Sequence, residues 1–140
     1  MHAPQADLRV SIYGAGAIGI SMAVRLARAG AQVTLIARGA NAQAIVDGGI
    51  TLISGEEHLH ANVRCVCDPT DVQGQDLVVV ALKSHALATA AESLSRMVQA
   101  GGLIMFAMNG LPWWFFDSLQ TSAAQSQALQ LLLDPGCVLR

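Results

Sequence analysis

Apolar residues along this chain follow two alternating periods. Leu8 to Tyr13 is a short apolar run closed by Gly14, the pattern of a strand. From about Ala17 to Ala29 the apolar positions Ile18, Met22 and Leu26 recur every four residues, which predicts a helix. Gly19, Ala23 and Ala27 form a second row of small side chains, and such a row lets a helix lie close on a sheet. Gly30 supplies the stop. Val33 to Ala37 predicts a second strand, and about Ala40 to Asp47 a short helix closed by Gly48-Gly49. Ile50 to Ile53 and His58 to Cys67, joined through Ser54-Gly55-Glu56-Glu57, predict a hairpin. In its second arm Leu59, Ala61, Val63, Cys65 and Cys67 alternate with polar residues. Leu77 to Leu82 is the clearest strand. It has no polar face, so helices are expected on both sides. A helix from about Ala86 to Gln99 puts Leu87, Ala91, Leu94 and Val98 on one stripe and ends at Gly101-Gly102. Leu103 to Met108 predicts a further buried strand, followed by Asn109-Gly110. Past Pro112 the pattern weakens to a helical turn over Trp113 to Leu119 and a helical piece over Ala123 to Leu133.

Strands alternating with helices predict a doubly wound α/β fold, with a mostly parallel sheet, an inserted β-hairpin and one domain over residues 1–140. In such a sheet ligands bind at the carboxyl ends of the strands. Those ends are Gly14, Ala37-Arg38, Leu82-Lys83 and Met108-Asn109, and all four carry residues suited to chemistry.

Composition narrows the function classes. The chain is 53% hydrophobic and 13% charged, with a mean hydropathy of +0.45, which raises the question of a membrane. A spanning helix needs about 20 apolar residues in a row. Leu77 to Leu82 is too short, and Asn109, Gly110 and Pro112 interrupt Leu103 to Phe116. Arg9 ahead of Val10 to Val24 resembles a signal peptide. Three glycines inside that stretch, and a helical period running on through Arg25 and Arg28, speak against one. A net charge of −2 with no basic run leaves no footprint for nucleic acid. Cys65, Cys67 and Cys137 match neither a disulfide framework nor a zinc spacing, so a reducing cytoplasm is the expected setting.

Gly14, Gly16 and Gly19 form G-x-G-x-x-G, with Ala15, Ala17 and Ile18 between them. The first glycine turns the chain out of the strand. The second lets backbone approach a pyrophosphate, and the third lets the helix sit near the strand. The helix N-terminus then offers free N–H groups to the anion. The motif follows a strand and opens a helix, the context a Rossmann-type dinucleotide site needs. A purely structural glycine turn is the rival reading.

Arg38 bears on which dinucleotide. No acid ends the second strand to take a ribose 2′-hydroxyl, and a guanidinium there grips a 2′-phosphate with two hydrogen bonds. NADP over NAD is the expectation; a solvated surface arginine is the alternative. Lys83 can reach a cofactor phosphate or ribose, a substrate carboxylate, or donate a proton, and it can equally be a surface lysine before a helix. Ser84 suits a helix cap, and His85 reads as a loop residue. Asn109 can hold a ribose or a substrate carbonyl, or simply make an Asn109-Gly110 turn. Trp113 to Phe116 hold four of the six aromatic residues. They suit either core packing or an interface, including one between copies of the chain. His58 and His60 share a strand face, but no third ligand is evident, so no metal is expected.

With Gly14 to Gly19, Arg38, Lys83 and Asn109-Gly110 in this order, the chain resembles the ketopantoate reductase (2-dehydropantoate 2-reductase) family from Leu8 to about Arg140. Asn109-Gly110-Leu111-Pro112-Trp113-Trp114-Phe115 looks like a subtype with Pro and paired aromatics. The resemblance implies NADPH-dependent reduction of a 2-keto acid, with ketopantoate to pantoate, a step of pantothenate biosynthesis, as the named reaction. It implies that Gly14 to Gly19 bind the pyrophosphate, Arg38 meets the 2′-phosphate, and Leu82, Lys83 and Asn109 contact NADP. Family members carry a second, helical domain that supplies a lysine general acid. The family pattern also continues past Asp134-Pro135-Gly136. The chain is therefore expected to stop short of the last strand, to lack the helical domain and to be inactive alone. A non-catalytic NADP-binding module or sensor subunit is the rival function. A methyltransferase-like nucleotide fold is a third reading, disfavoured by Arg38.

Overall fold

The computed structural model describes residues 8–109. Five parallel strands, β1 (Arg9–Tyr13), β2 (Gln32–Ile36), β5 (Arg64–Val66), β6 (Gln75–Val80) and β7 (Val98–Phe106), form one sheet in the order β5-β2-β1-β6-β7. Strands β3 (Ile50–Ser54) and β4 (Glu57–Ala61) pair antiparallel as a separate hairpin. The helices are α1 (Ala17–Arg28), α2 (Gly39–Gly48) and α3 (Leu87–Met97). The architecture is α/β with a Rossmann-like sheet, as the alternation of periods predicts.

The period-two alternation sends each strand's side chains to opposite faces of the sheet. Val10, Ile12, Val33, Leu35 and Val79 face α1, α2 and the hairpin, and meet Ala23, Val24, Ala42, Ile45 and Ile50. Tyr13, Ile36, Val78 and Val80 face α3, and meet Leu87, Ala90, Leu94 and Met97. Two apolar layers cover both faces of β1, β2 and β6 and account for much of the high hydropathy, whereas β7, expected to be buried, has no fully buried residue because no described element covers its α1 face.

The small row of α1 forms its contact with the sheet, with Gly19 and Ala23 buried, while Ile18 is 59% exposed. Met22 and Leu26 are half-buried and pack against the first apolar layer. The helix stops in a double hydrogen-bonded turn: Gly30 N donates to Ala27 O (3.0 Å) and Ala31 N to Leu26 O (3.1 Å). Gly30 has φ of +97°, the left-handed conformation that favours glycine at this position.

Strand β6 runs over Gln75–Val80 rather than Leu77 to Leu82, β7 ends at Phe106 rather than Met108, and two further differences from the sequence reading change the topology. The second hairpin arm does not continue from His58 to Cys67. It breaks at Asn62-Val63, and Arg64–Val66 leaves the hairpin to pair parallel with β2. One unbroken alternation hides two strands, because a period of two does not say which partner a strand chooses. The helix α3 ends at Met97, and β7 begins at Val98, before the two glycines rather than after them. Val98 pairs with Gln75 and Leu103 with Leu77, so Gly101-Gly102 sit in a bulge instead of capping a helix. Among the described residues nothing covers Leu103, 68% exposed, on the α1 face of β7.

Candidate functional site

Strand β1 lies between β2, reached through α1, and β6, reached only after the hairpin and β5. The chain's direction of travel across the sheet reverses at this point. A crevice opens there at the carboxyl ends of β1 and β6. The ladder continues past the strand ends to frame it: Gly14 N donates to Ile36 O (3.2 Å) and Ala81 N to Tyr13 O (2.9 Å).

The three glycines do different jobs. Gly14 has φ of +118°, and a Cβ there would stand 2.7 Å from Ala81 O. A Cβ on Gly19 would stand 1.9 Å from Gly14 O. Both positions are dictated by the protein's own backbone. Gly16 is different, with an ordinary φ of −84° and no protein atom within 4 Å of where a Cβ would be. It lines the crevice, so the space beside it is space for a ligand.

The crevice has two lobes. One, of about 580 Å³, is lined by Tyr13, Gly14, Ala15, Gly16, Arg38 and Asn41 among others. The second, of about 480 Å³, is lined by Ala17, Ile18, Lys83, Ser84, Met108 and Asn109 among others. Gly16, Leu82 and His85 belong to both. Every site residue expected from sequence lies here except Gly19, which is buried beneath the turn.

The electrostatics are one-sided. Arg38, Lys83 and His85 line the lobes, and among the described residues no Asp or Glu does. Helix α1 starts at Gly16 with no side-chain cap and no acid in its first turn. Its first N–H groups point to the crevice as free donors at the positive end of a helix dipole. Arg38 precedes α2, also uncapped, and its Nη2 donates to Tyr13 Oη at 3.4 Å. Such a donor set can take an elongated, polyanionic ligand, with one anion at α1, a second near Arg38 and a body extending toward Lys83 and Asn109. A dinucleotide with a phosphorylated ribose fits this donor set.

Sequence reasoning missed Tyr13, Asn41 and Thr89, and gave His85 no site role. Tyr13 was hidden because a strand-ending aromatic normally signals core, and it is indeed 5% exposed. His85 had a usable signal, its place two residues after Lys83 at the same strand end. His58 and His60 lie on the exposed face of β4, where His60 Nδ1 is 3.0 Å from Thr51 Oγ1. Among the described residues no group of three or more His, Cys, Asp or Glu could hold a metal. Trp113 to Phe116 and Cys137 lie outside the described residues.

A model of the family described as Ketopantoate reductase PanE/ApbA matches residues 10–113. The chain belongs to the ketopantoate reductase family. Members of this family are NADPH-dependent. A 2-dehydropantoate 2-reductase from Mesorhizobium japonicum is 37% identical over 113 residues, 80% of this chain and 35% of that protein. The crystal structure of a PanE/ApbA family ketopantoate reductase from Ralstonia eutropha JMP134 matches with a TM-score of 0.69 and 35% identity, over 81% of this chain and 37% of that one. The ternary structure of D-mandelate dehydrogenase with NADH and anilino(oxo)acetate shares the fold, with a TM-score of 0.66 at 21% identity, over 79% of this chain and 36% of that one. The chain thus spans about a third of the length of the relatives it matches. Among the described residues no helix is long and apolar enough to cross a membrane.

Proposed function

We propose that this chain is the NADP(H)-binding portion of an NADPH-dependent 2-keto acid reductase of the 2-dehydropantoate 2-reductase type. The observation that carries this reading is a crevice whose described lining includes Arg38 and Lys83 but no acid, with the free N–H groups of α1 at one point and Arg38 at another. Gly14 to Gly19 hold the diphosphate through backbone, and Arg38 takes the 2′-phosphate. Leu82 packs at the waist where the two lobes meet. Lys83 and Asn109 contact the nicotinamide half. Ile18, exposed at the start of α1, gives that lobe an apolar wall.

Bound NADPH supplies the hydride for a carbonyl reduction. The residues of this chain fix where that hydride sits, and holding donor and acceptor in register is worth several kcal/mol. Lys83 and Asn109 are placed to orient the 2-keto acid beside the cofactor. The family resemblance assigns the proton donor to a separate helical domain, so the 140 residues tested on their own are expected to bind cofactor without appreciable turnover. The reaction belongs to pantothenate biosynthesis in the cytoplasm. The free thiols of Cys65 and Cys67 suit that compartment. Self-association through apolar surface, to which Leu103 on β7 contributes, is part of the same proposal; Trp113 to Phe116, which the sequence offers for it, lie outside the described residues.

Calorimetric titration with NADPH, NADH and S-adenosylmethionine tests the core of the proposal. NADPH is expected to bind most tightly. Heat with neither nicotinamide nucleotide, or a preference for S-adenosylmethionine, would overturn it. Robust ketopantoate-dependent NADPH oxidation by the 140-residue chain would overturn the inactivity claim alone. Sedimentation as a clean monomer at high concentration would remove the self-association.

A further inference from the structure

The edge strand β5 brings a carboxylate to the crevice's basic end. Ile36 is in register with Val66, and Ala37 N donates to Val66 O at 3.0 Å. Both chains leave this last rung extended, Arg38 with φ −129° and ψ 155°, Asp68 with φ −105° and ψ 122°. Two parallel segments that continue extended from a shared rung run side by side, so Asp68 lies next to Arg38. The carboxylate is not free to swing away. Thr70 N and Thr70 Oγ1 donate to Asp68 Oδ1 at 2.8 and 2.7 Å, as the cap of the short 3-10 helix Pro69–Asp71. The two side chains form no ion pair within 4 Å, so Arg38 remains available to a ligand.

We propose that Asp68 sets how strongly the crevice prefers a 2′-phosphorylated dinucleotide, its pinned carboxylate opposing the 2′-phosphate at Arg38 and keeping the unphosphorylated dinucleotide competitive. The inference rests on the reading of Arg38 as the 2′-phosphate residue. A dianionic phosphate placed on Arg38 meets a fixed negative charge from the neighbouring strand, whereas a 2′-hydroxyl does not. The hydrogen bonds from Thr70, and to a lesser degree the charge of Arg38, hold the Asp68 carboxyl below the usual carboxylate range. It is therefore ionised at neutral pH. This acid follows a strand that a hydrophobic pattern does not connect to β2, which is why the end of the second strand looks acid-free in the sequence.

The test compares NADPH and NADH affinities of the full 140-residue chain, by calorimetry, for wild type, Asp68→Asn and Asp68→Ser. Both substitutions keep an N-cap acceptor and remove the charge, so folding is preserved and a capping role alone would not move the ratio. The NADPH-over-NADH preference is expected to rise about three- to sevenfold in both, and the gain to shrink at high salt. An unchanged preference, with wild type binding NADPH normally, would overturn the inference and leave the reading of Arg38 intact. A fall in preference would assign Asp68 the opposite role, orienting Arg38. Failure of wild type to bind either nucleotide would remove the reading of the crevice itself, together with this inference. Should Asp68→Asn alone unfold, Asp68→Ser still decides the matter.

Discussion

On the proposed reading, the two ends of the crevice recognise anions by different means. At the β1 end, the turn Gly14 to Gly19 presents backbone N–H groups and contains no titratable side chain. Its geometry is dictated by atoms only a few residues away or on the adjacent strand: Gly19 lies on Gly14 O and Gly14 lies on Ala81 O. At the β2–β5 edge, Arg38 and Asp68 act through charge, and two segments about thirty residues apart in sequence meet through strand pairing. A backbone site has no protonation state of its own to change. A side-chain site is adjustable, and its strength depends on neighbours. The first suits the diphosphate that every nicotinamide dinucleotide carries; the second suits the phosphate that distinguishes one from another.

Substitution at Gly19 is the most severe way to probe the backbone end. In an ordinary helix interior Gly→Ala adds stability. Here the new methyl would collide with a main-chain carbonyl that has no rotamer to escape into. Gly19→Ala is expected to destabilise the fold by about 3 kcal/mol, the range of overpacked cores. The melting temperature should drop by on the order of 10 °C, as thermal denaturation followed by circular dichroism would show. A variant melting within about 2 °C of wild type would mean that α1 does not lie this close to β1.

Gly16→Ala should separate binding from folding. Its φ is ordinary and its Cβ meets no protein atom, so the melting temperature should move by less than about 3 °C. NADPH affinity should nevertheless fall by on the order of tenfold or more, since the diphosphate must pass where the methyl would stand. Unchanged affinity by calorimetry would break the claim that this turn is a diphosphate seat. Arg38→Gln probes the other end. Loss of a charge-assisted pair is worth about 1.5–3 kcal/mol, so NADPH affinity should drop roughly 10- to 100-fold with NADH affinity little changed. Equal loss for both nucleotides would place Arg38 on a part they share.

The contrast between the ends also explains what was legible in the sequence. The glycine turn could be read because its requirements are local: one strand, one turn and one helix supply every constraint. Arg38, Lys83 and Asn109 were legible as strand-end positions for the same reason. Asp68 and β5 were not, because the alternation from His58 to Cys67 fits one long arm as well as two short ones, and only pairing with β2 distinguishes them. Tyr13 closes the first strand in the sequence pattern, and only the structure shows that its buried ring sends the hydroxyl to Arg38. The Gly101-Gly102 pair satisfies a helix stop and a strand bulge equally well by composition, and the parallel pairing with β6 selects the bulge.

The smallest expected effect concerns pH, which should act on one end only. Cys65 on β5 has its thiol pushed up, first by burial, then by the neighbouring Cys67, against a lowering hydrogen bond from Ala37. A group whose folded pKa is raised stabilises fully below its unfolded value and loses that contribution as pH rises through the folded one. The β5 edge should therefore weaken only in the alkaline range above ordinary thiols. Asp68, held low, works in the opposite sense: its contribution is present above the usual carboxylate range and fades as pH falls through its depressed value. Between these limits the edge should hold steady. Raising pH from 7 to 10 should cost wild type roughly 2 °C more in melting temperature than it costs Cys65→Ala. Iodoacetamide at pH 8 should modify exposed Cys67 before half-buried Cys65, as peptide mass spectrometry would resolve. Simultaneous modification would mean that β5 is not docked on β2. Asp68 would then have no fixed place beside Arg38, and the two ends of the crevice would no longer differ in the way described.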